Sequence, residues 1–129
     1  MLKRLSTTAA LLAVCALPLR LAAQEQKPAA AAGNEVTLTG QVIDVNCFVT
    51  MGASGAGHKQ CAAACAKKGV ALAILGSDGT VYMPVSAKPG DPQNSRLEPF
   101  VEGRVKVTGM HRMSSGLHTI EIKTIEAAT

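Results

Sequence analysis

The stretch "NCFVTMGASGAGHKQCAAACAKKG", Asn46 to Gly69, holds three of the chain's four cysteines and one of its three histidines. Thiols and an imidazole gathered this way support three kinds of chemistry: disulfide formation, metal binding and thiolate reactivity. "HKQCAAACAKK", His58 to Lys68, is predicted to be helical, because its four alanines carry high helix propensity. On a helix, His58, Cys61 and Cys65 fall at i, i+3 and i+7 and share one stripe about 60° wide. Cys47, expected at the end of the preceding strand, can dock against that stripe. Three thiols and one imidazole are a common donor set for tetrahedral zinc, and thiolates also suit copper(I). Helix geometry strains the four-ligand version. His58 and Cys65 are separated by about 10 Å along an ideal axis. Helical side chains lean toward the N-terminus, so Cys65 leans toward Cys61 while His58 leans away from both. Cys47, Cys61 and Cys65 are the easier trio. His58, water or a ligand is left for a fourth position, and His58 reaches it only from a non-helical first turn.

The plainer expectation is a structural disulfide from Cys47 to Cys61 or Cys65, tying the helix to the first strand and leaving one spare thiol. Loops of that size give about 3 kcal/mol in the chain-entropy model. A Cys61–Cys65 bridge within the helix is near the limit of disulfide reach. A thiol redox role is the third reading, since a helix N-terminus and His58 can both stabilise a thiolate. Against it, C-x-x-x-C is not the C-x-x-C of thioredoxin-like enzymes.

A second group, Met110, His111, Met113 and His118, lies around the last predicted hairpin and offers soft ligands suited to copper. Gap-filling methionines and hairpin-end histidines explain the same residues. His111 and His118 share the inward parity of their strands, which sets them at a barrel mouth. Asp44 precedes Cys47 by three residues and is expected to cap a local turn or to orient His58. No Ser–His–Asp set, no paired catalytic carboxylates and no phosphate-binding lysine after the glycine-rich loop emerge from the spacing.

These residues need a scaffold. "EVTLTGQVIDV", Glu35 to Val45, alternates as a strand, with Gly40 marking a bend or bulge. Thr50 to Gly57 is a loop by composition, and Gly69 is placed to end the helix in a left-handed conformation. Val70 to Leu75 and Val81 to Val85 read as a hairpin around "GSDGT". "NSRLEPF" reads as a short helical connector. Gly103 to Met113 and Leu117 to Glu126 alternate around "SSG", with Val105, Val107, Ile120 and Ile122 inward. Five short strands in this order predict a mainly β fold. It is a small five-stranded Greek-key barrel of OB-fold type, with a Cys-rich helix inserted between strands one and two.

Two motifs carry a family resemblance. "GQVIDVNC" follows G-x-V-x-D-x-x-C, and "HKQCAAACAKKG" follows H-x-x-C-A-x-x-C-x-x-x-G. Over residues 36–125 the chain resembles small exported bacterial OB-fold-like domains of uncharacterised function. The resemblance implies the fold and an exported location, and it implies no activity.

The N-terminus agrees with export. Lys3 and Arg4 precede the apolar run "TAALLAVCALPL", and small residues at Ala22 and Ala23 suit cleavage near Ala23. Residues 1–23 are therefore expected to be a signal peptide that carries Cys15 away. Residues 24–34 form a flexible segment and residues 35–126 the folded domain. Losing Lys3, Arg4 and Arg20 leaves ten basic against nine acidic residues. A net charge of about +1 and a chain with only Phe48, Tyr82 and Phe100 as aromatics do not suit nucleic-acid binding. No segment after the leader is apolar enough to span a bilayer. The expectation is a periplasmic or secreted domain that binds a small ligand or an exported protein without catalysis. The cysteine segment either braces that domain or holds zinc or copper.

Overall fold

A computed structural model of the chain describes residues 31–129. The expected signal peptide, and residues 24–30 of the segment after it, lie outside the described residues. Strands β1 (Gly33–Asp44), β2 (Leu72–Gly76), β3 (Val81–Pro84), β4 (Arg104–Ser114) and β5 (Leu117–Ala127) close into a barrel in the order β1-β2-β3-β5-β4. The β3–β5 pairing is parallel and the other four are antiparallel. Helices α1 (Val45–Met51) and α2 (Lys59–Lys67) fill the connection between β1 and β2. This is the five-stranded OB-type barrel with an inserted cysteine-bearing helix that the strand pattern predicts.

β1 closes the barrel because it serves two neighbours. Its first part, Gly33 to Gln41, pairs with β4, and its last part, Gly40 to Asp44, pairs with β2. The two ladders overlap at Gly40 and Gln41, where the strand must bend between partners. A Cβ there would come within 2.5 Å of the Leu75 carbonyl oxygen, so only glycine permits this approach.

The core is aliphatic. Val42, Leu72, Ile74, Leu97, Val101, Val105, Val107, Ile120 and Ile122 are buried together, and α2 adds Ala62 and Ala66. Strict alternation fails in β5. Thr108 pairs with Thr124 but Gly109 pairs with Ile122, so Lys123 is an extra residue in that strand. The bulge switches parity, which brings Ile125 as well as Ile120 and Ile122 against the core. "NSRLEPF" forms the short helix α3 (Asn94–Leu97) and a following 3-10 turn, and Leu97 is fully buried. Asn94 fastens this connector to β2: its amide donates to the Val70 carbonyl at 2.7 Å, and its oxygen accepts from the Leu72 N–H at 3.0 Å.

The segment after β1 departs from the sequence expectation. Cys47 does not end a strand, because β1 stops at Asp44 and α1 starts at Val45. Asp44 sits in extended conformation, and its Oδ1 accepts from the Cys47 N–H at 2.9 Å, an N-cap bond. Gly52, at φ +66°, ends the helix after seven residues. Valine and threonine within α1 favour strand by propensity, and the cap overrides that preference.

Candidate metal centre

Capping and packing together fix the cysteines. Asp44 starts α1 and sets Cys47 in its first turn, where the cysteine is buried. Helix α2 presses Ala62 and Ala66 into the core, which fixes its rotation. Cys61 and Cys65 each precede one of these alanines, so they lie beside the buried stripe rather than within it. Cys61 is exposed and Cys65 is intermediate. At its end, α2 makes a Schellman arrangement. The Gly69 N–H donates to the Ala66 carbonyl at 2.9 Å, and the Val70 N–H donates to the Cys65 carbonyl at 3.1 Å. Gly69 has φ +90°, as the sequence predicts.

Cys47, Cys61 and Cys65 converge, with their three sulfur atoms all within 4.8 Å of one another. They are free thiols, and they lie close enough together to hold a metal ion. Burial pushes the Cys47 thiol up to about 11, with further contributions from the charges of Asp44, Cys61 and Cys65. The Cys65 thiol is also raised. The neighbouring Asp44 carboxylate is the first cause, and burial is the second. Asp44 itself is fully buried. Its Oδ2 has no hydrogen-bond partner.

His58 does not join this group. It ends a 3-10 turn, Ala56–His58, just before α2, as the non-helical approach to the helix allows. Its Nδ1 lies 2.9 Å from Glu102 Oε1. Glu102 Oε2 accepts from the Gln41 amide at 2.7 Å and from the Gly55 N–H at 2.7 Å. Glu102 is held against β1, because its N–H donates to the Val42 carbonyl at 2.9 Å. His58 is thus drawn toward the connector before β4, and its Nε2 is buried without a partner. The axial separation of His58 from Cys65 already disfavoured a shared ion, and Glu102 gives the imidazole a different partner. Sequence reasoning missed Glu102. Nothing in "PFVEGR" marks a glutamate whose side chain is wholly buried.

His111 and His118 meet across β4 and β5, with His111 Nε2 3.1 Å from His118 Nδ1. Their rings stack at 14° with centroids 5.3 Å apart, and Tyr82 packs edge-on against both. Tyr82 in turn packs on the core and donates its hydroxyl to Asp78 Oδ2 at 3.0 Å. The inward parity expected of the two histidines therefore holds. The neighbouring Met113 is largely exposed. Among the described residues, the group of three or more histidine, cysteine or acidic side chains with metal-binding proximity is the cysteine trio.

Fold and site define a small closed β-barrel that carries a three-cysteine cluster between its first two strands. No known protein family matches the chain, and comparison with curated proteins and with solved structures returns no match. No helix among the described residues is long and apolar enough to cross a membrane.

Proposed function

We propose that this protein is an exported metal-binding domain that holds zinc or copper(I) through Cys47, Cys61 and Cys65. The observation that carries the reading is the convergence of three free sulfurs within 4.8 Å, delivered by two separate helices. Soft thiolate donors in that number select zinc or copper(I) over the harder divalent ions. The buried, unpartnered Asp44 Oδ2 adds weight, because an uncompensated carboxylate oxygen calls for a cation nearby. The exposure of Cys61 leaves one ligand open to solvent, which suits the exchange of metal with another carrier. The export part of the proposal rests on the leader sequence and on the resemblance of the two cysteine motifs to small exported domains.

A disulfide-braced binding module is the second reading, and the same closeness of the sulfurs favours it in an oxidising compartment. A redox-active thiol finds less support. Activation of a thiol needs a depressed pKa, whereas Cys47 and Cys65 are both raised.

The test is to purify the protein from the exported fraction without reductant and to measure bound metal and free thiols together. One equivalent of zinc or copper, with three thiols that alkylate only after chelation, is the expected result. One free thiol with no metal overturns the metal reading and favours the disulfide. Sequencing the N-terminus of the same sample tests cleavage near Ala23.

A further inference from the structure

We propose that Asp44 Oδ2 is the fourth donor of the cysteine site, making it a three-thiolate, one-carboxylate centre that takes zinc in preference to copper(I). This rests on the metal reading of the cluster and assigns the ligand that completes it. Asp44 is fully buried, and its two oxygens have different fates. Oδ1 caps α1 through the Cys47 N–H at 2.9 Å. Oδ2 is buried with no hydrogen-bond partner. A buried carboxylate oxygen in that condition is strongly disfavoured unless a cation or a donor meets it. The side chain lies beside the Cys47 and Cys65 thiols, and neither thiol makes a hydrogen bond to it.

Asp44 lies outside the group of atoms mutually within 4.8 Å, so one member must move to share an ion with it. Cys61 is the member free to do so. It is exposed, and rotation about its Cα–Cβ bond swings the sulfur without disturbing the core. Zinc accepts cysteine sulfur and carboxylate oxygen together in tetrahedral geometry, with oxygen at about 2.0–2.2 Å. Copper(I) is soft and gains little from a carboxylate. Three thiolates and a carboxylate leave a zinc centre with a net charge of about −2 by simple count. The surrounding sequence offsets part of it. From Val45 to Ser77 the chain has no Asp or Glu and carries Lys59, Lys67 and Lys68.

The variant Asp44→Asn tests this without removing the cap, because asparagine is an equally good N-cap residue. Zinc and copper(I) affinities of the full chain are measured by competition with chromophoric chelators. Zinc binding is expected to weaken at least about tenfold, the least that loss of a metal's supporting group brings. Copper(I) binding is expected to stay within about threefold. Cobalt(II) replaces zinc as a spectroscopic probe, and its visible d–d bands should shift in Asp44→Asn as an oxygen donor is lost. Asp44→Ser, which also retains a cap, should behave in the same way. Wild-type protein that binds zinc no better than Asp44→Asn, with identical cobalt spectra, overturns the assignment and leaves the three-cysteine site standing. Equal weakening for both metals also overturns it, since that marks a general electrostatic effect. Wild-type protein that takes up neither metal overturns the metal reading itself, and this assignment with it.

Discussion

Glu102 and Asp44 both bury a carboxylate against β1, but Glu102 has both oxygens hydrogen-bonded and Asp44 has one left over. Around Glu102, an amide, a backbone N–H and an imidazole converge. That network joins the connector before β4, the end of β1 and the turn before α2. It accounts for Glu102 as a structural group, since a buried polar network is favourable when its carboxylate is fully satisfied. Around Asp44, the Cys47 and Cys65 thiols stand beside the carboxylate, and neither hydrogen-bonds its Oδ2. The difference separates a carboxylate that the fold needs from one that the fold leaves available.

Glu102→Ala should produce the largest change. It strands Gln41, Gly55 and His58 donors in a half-buried setting. A stability loss of about 3 kcal/mol is expected, read as a lower urea midpoint with an unchanged slope. The metal stoichiometry of the folded variant should be unaltered. Loss of metal in a variant that still folds would break the contrast by tying Glu102 to the cysteine site.

His58→Ala should be milder, at about 1–2 kcal/mol, because Glu102 keeps its other two donors. This variant also tests the donor set suggested by the helix stripe. Metal affinity should be unchanged within about threefold if His58 belongs to Glu102. A large loss would mean that binding draws the imidazole away from Glu102.

Much of the barrel can be read in the sequence, and much less of the site can. Alternating Val105 and Val107, the Gly40 bend, the "SSG" turn and Gly69 each act through local geometry, and each is found as expected. The approach of Cys61 and Cys65 follows from helix period alone. Cys47 lies on a helix and not at the expected strand end, because its position depends on one side-chain cap that overrides β-branched propensity. The separation of His58 from the cysteines depends on Glu102, forty-four positions away in the chain. A partner at that distance leaves no periodic signal. The bulge at Lys123 leaves a trace in the sequence, since "TIEIKTIE" sets Lys123 and Thr124 together between Ile122 and Ile125, and pairing with β4 shows that break to be a bulge.

Alkaline titration sharpens the contrast from the thiol side. The folded Cys47 thiol is raised from an ordinary 9.0 to about 11, so the folded state holds that proton more tightly than the unfolded chain does. The resulting stability is fully present below pH 9 and is lost as pH rises through about 11. Metal-free protein should therefore show a falling urea midpoint between pH 9 and 11, and Cys47→Ser should reduce that fall to the part that Cys65 contributes. Glu102→Ala should lower the curve without changing its shape there. A flat profile in the wild type would mean that Cys47 is not buried as a thiol.

The smallest stability change is expected from Cys61→Ser in metal-free, reduced protein. The side chain is exposed, so the change should stay within about 0.5 kcal/mol. The same substitution becomes informative when the protein is taken oxidised from the exported fraction. A Cys61 disulfide closing a loop to Cys47 would stabilise the domain by about 3 kcal/mol, and Cys61→Ser together with Cys65→Ser would remove all of it. With metal bound, the loss instead scales with metal concentration and disappears on chelation, because a ligand stabilises by mass action. Urea midpoints of wild type and the double variant, each with and without chelator and with and without reductant, therefore separate the two states. A deficit abolished by chelator identifies the ion, and one abolished by reductant alone identifies the disulfide.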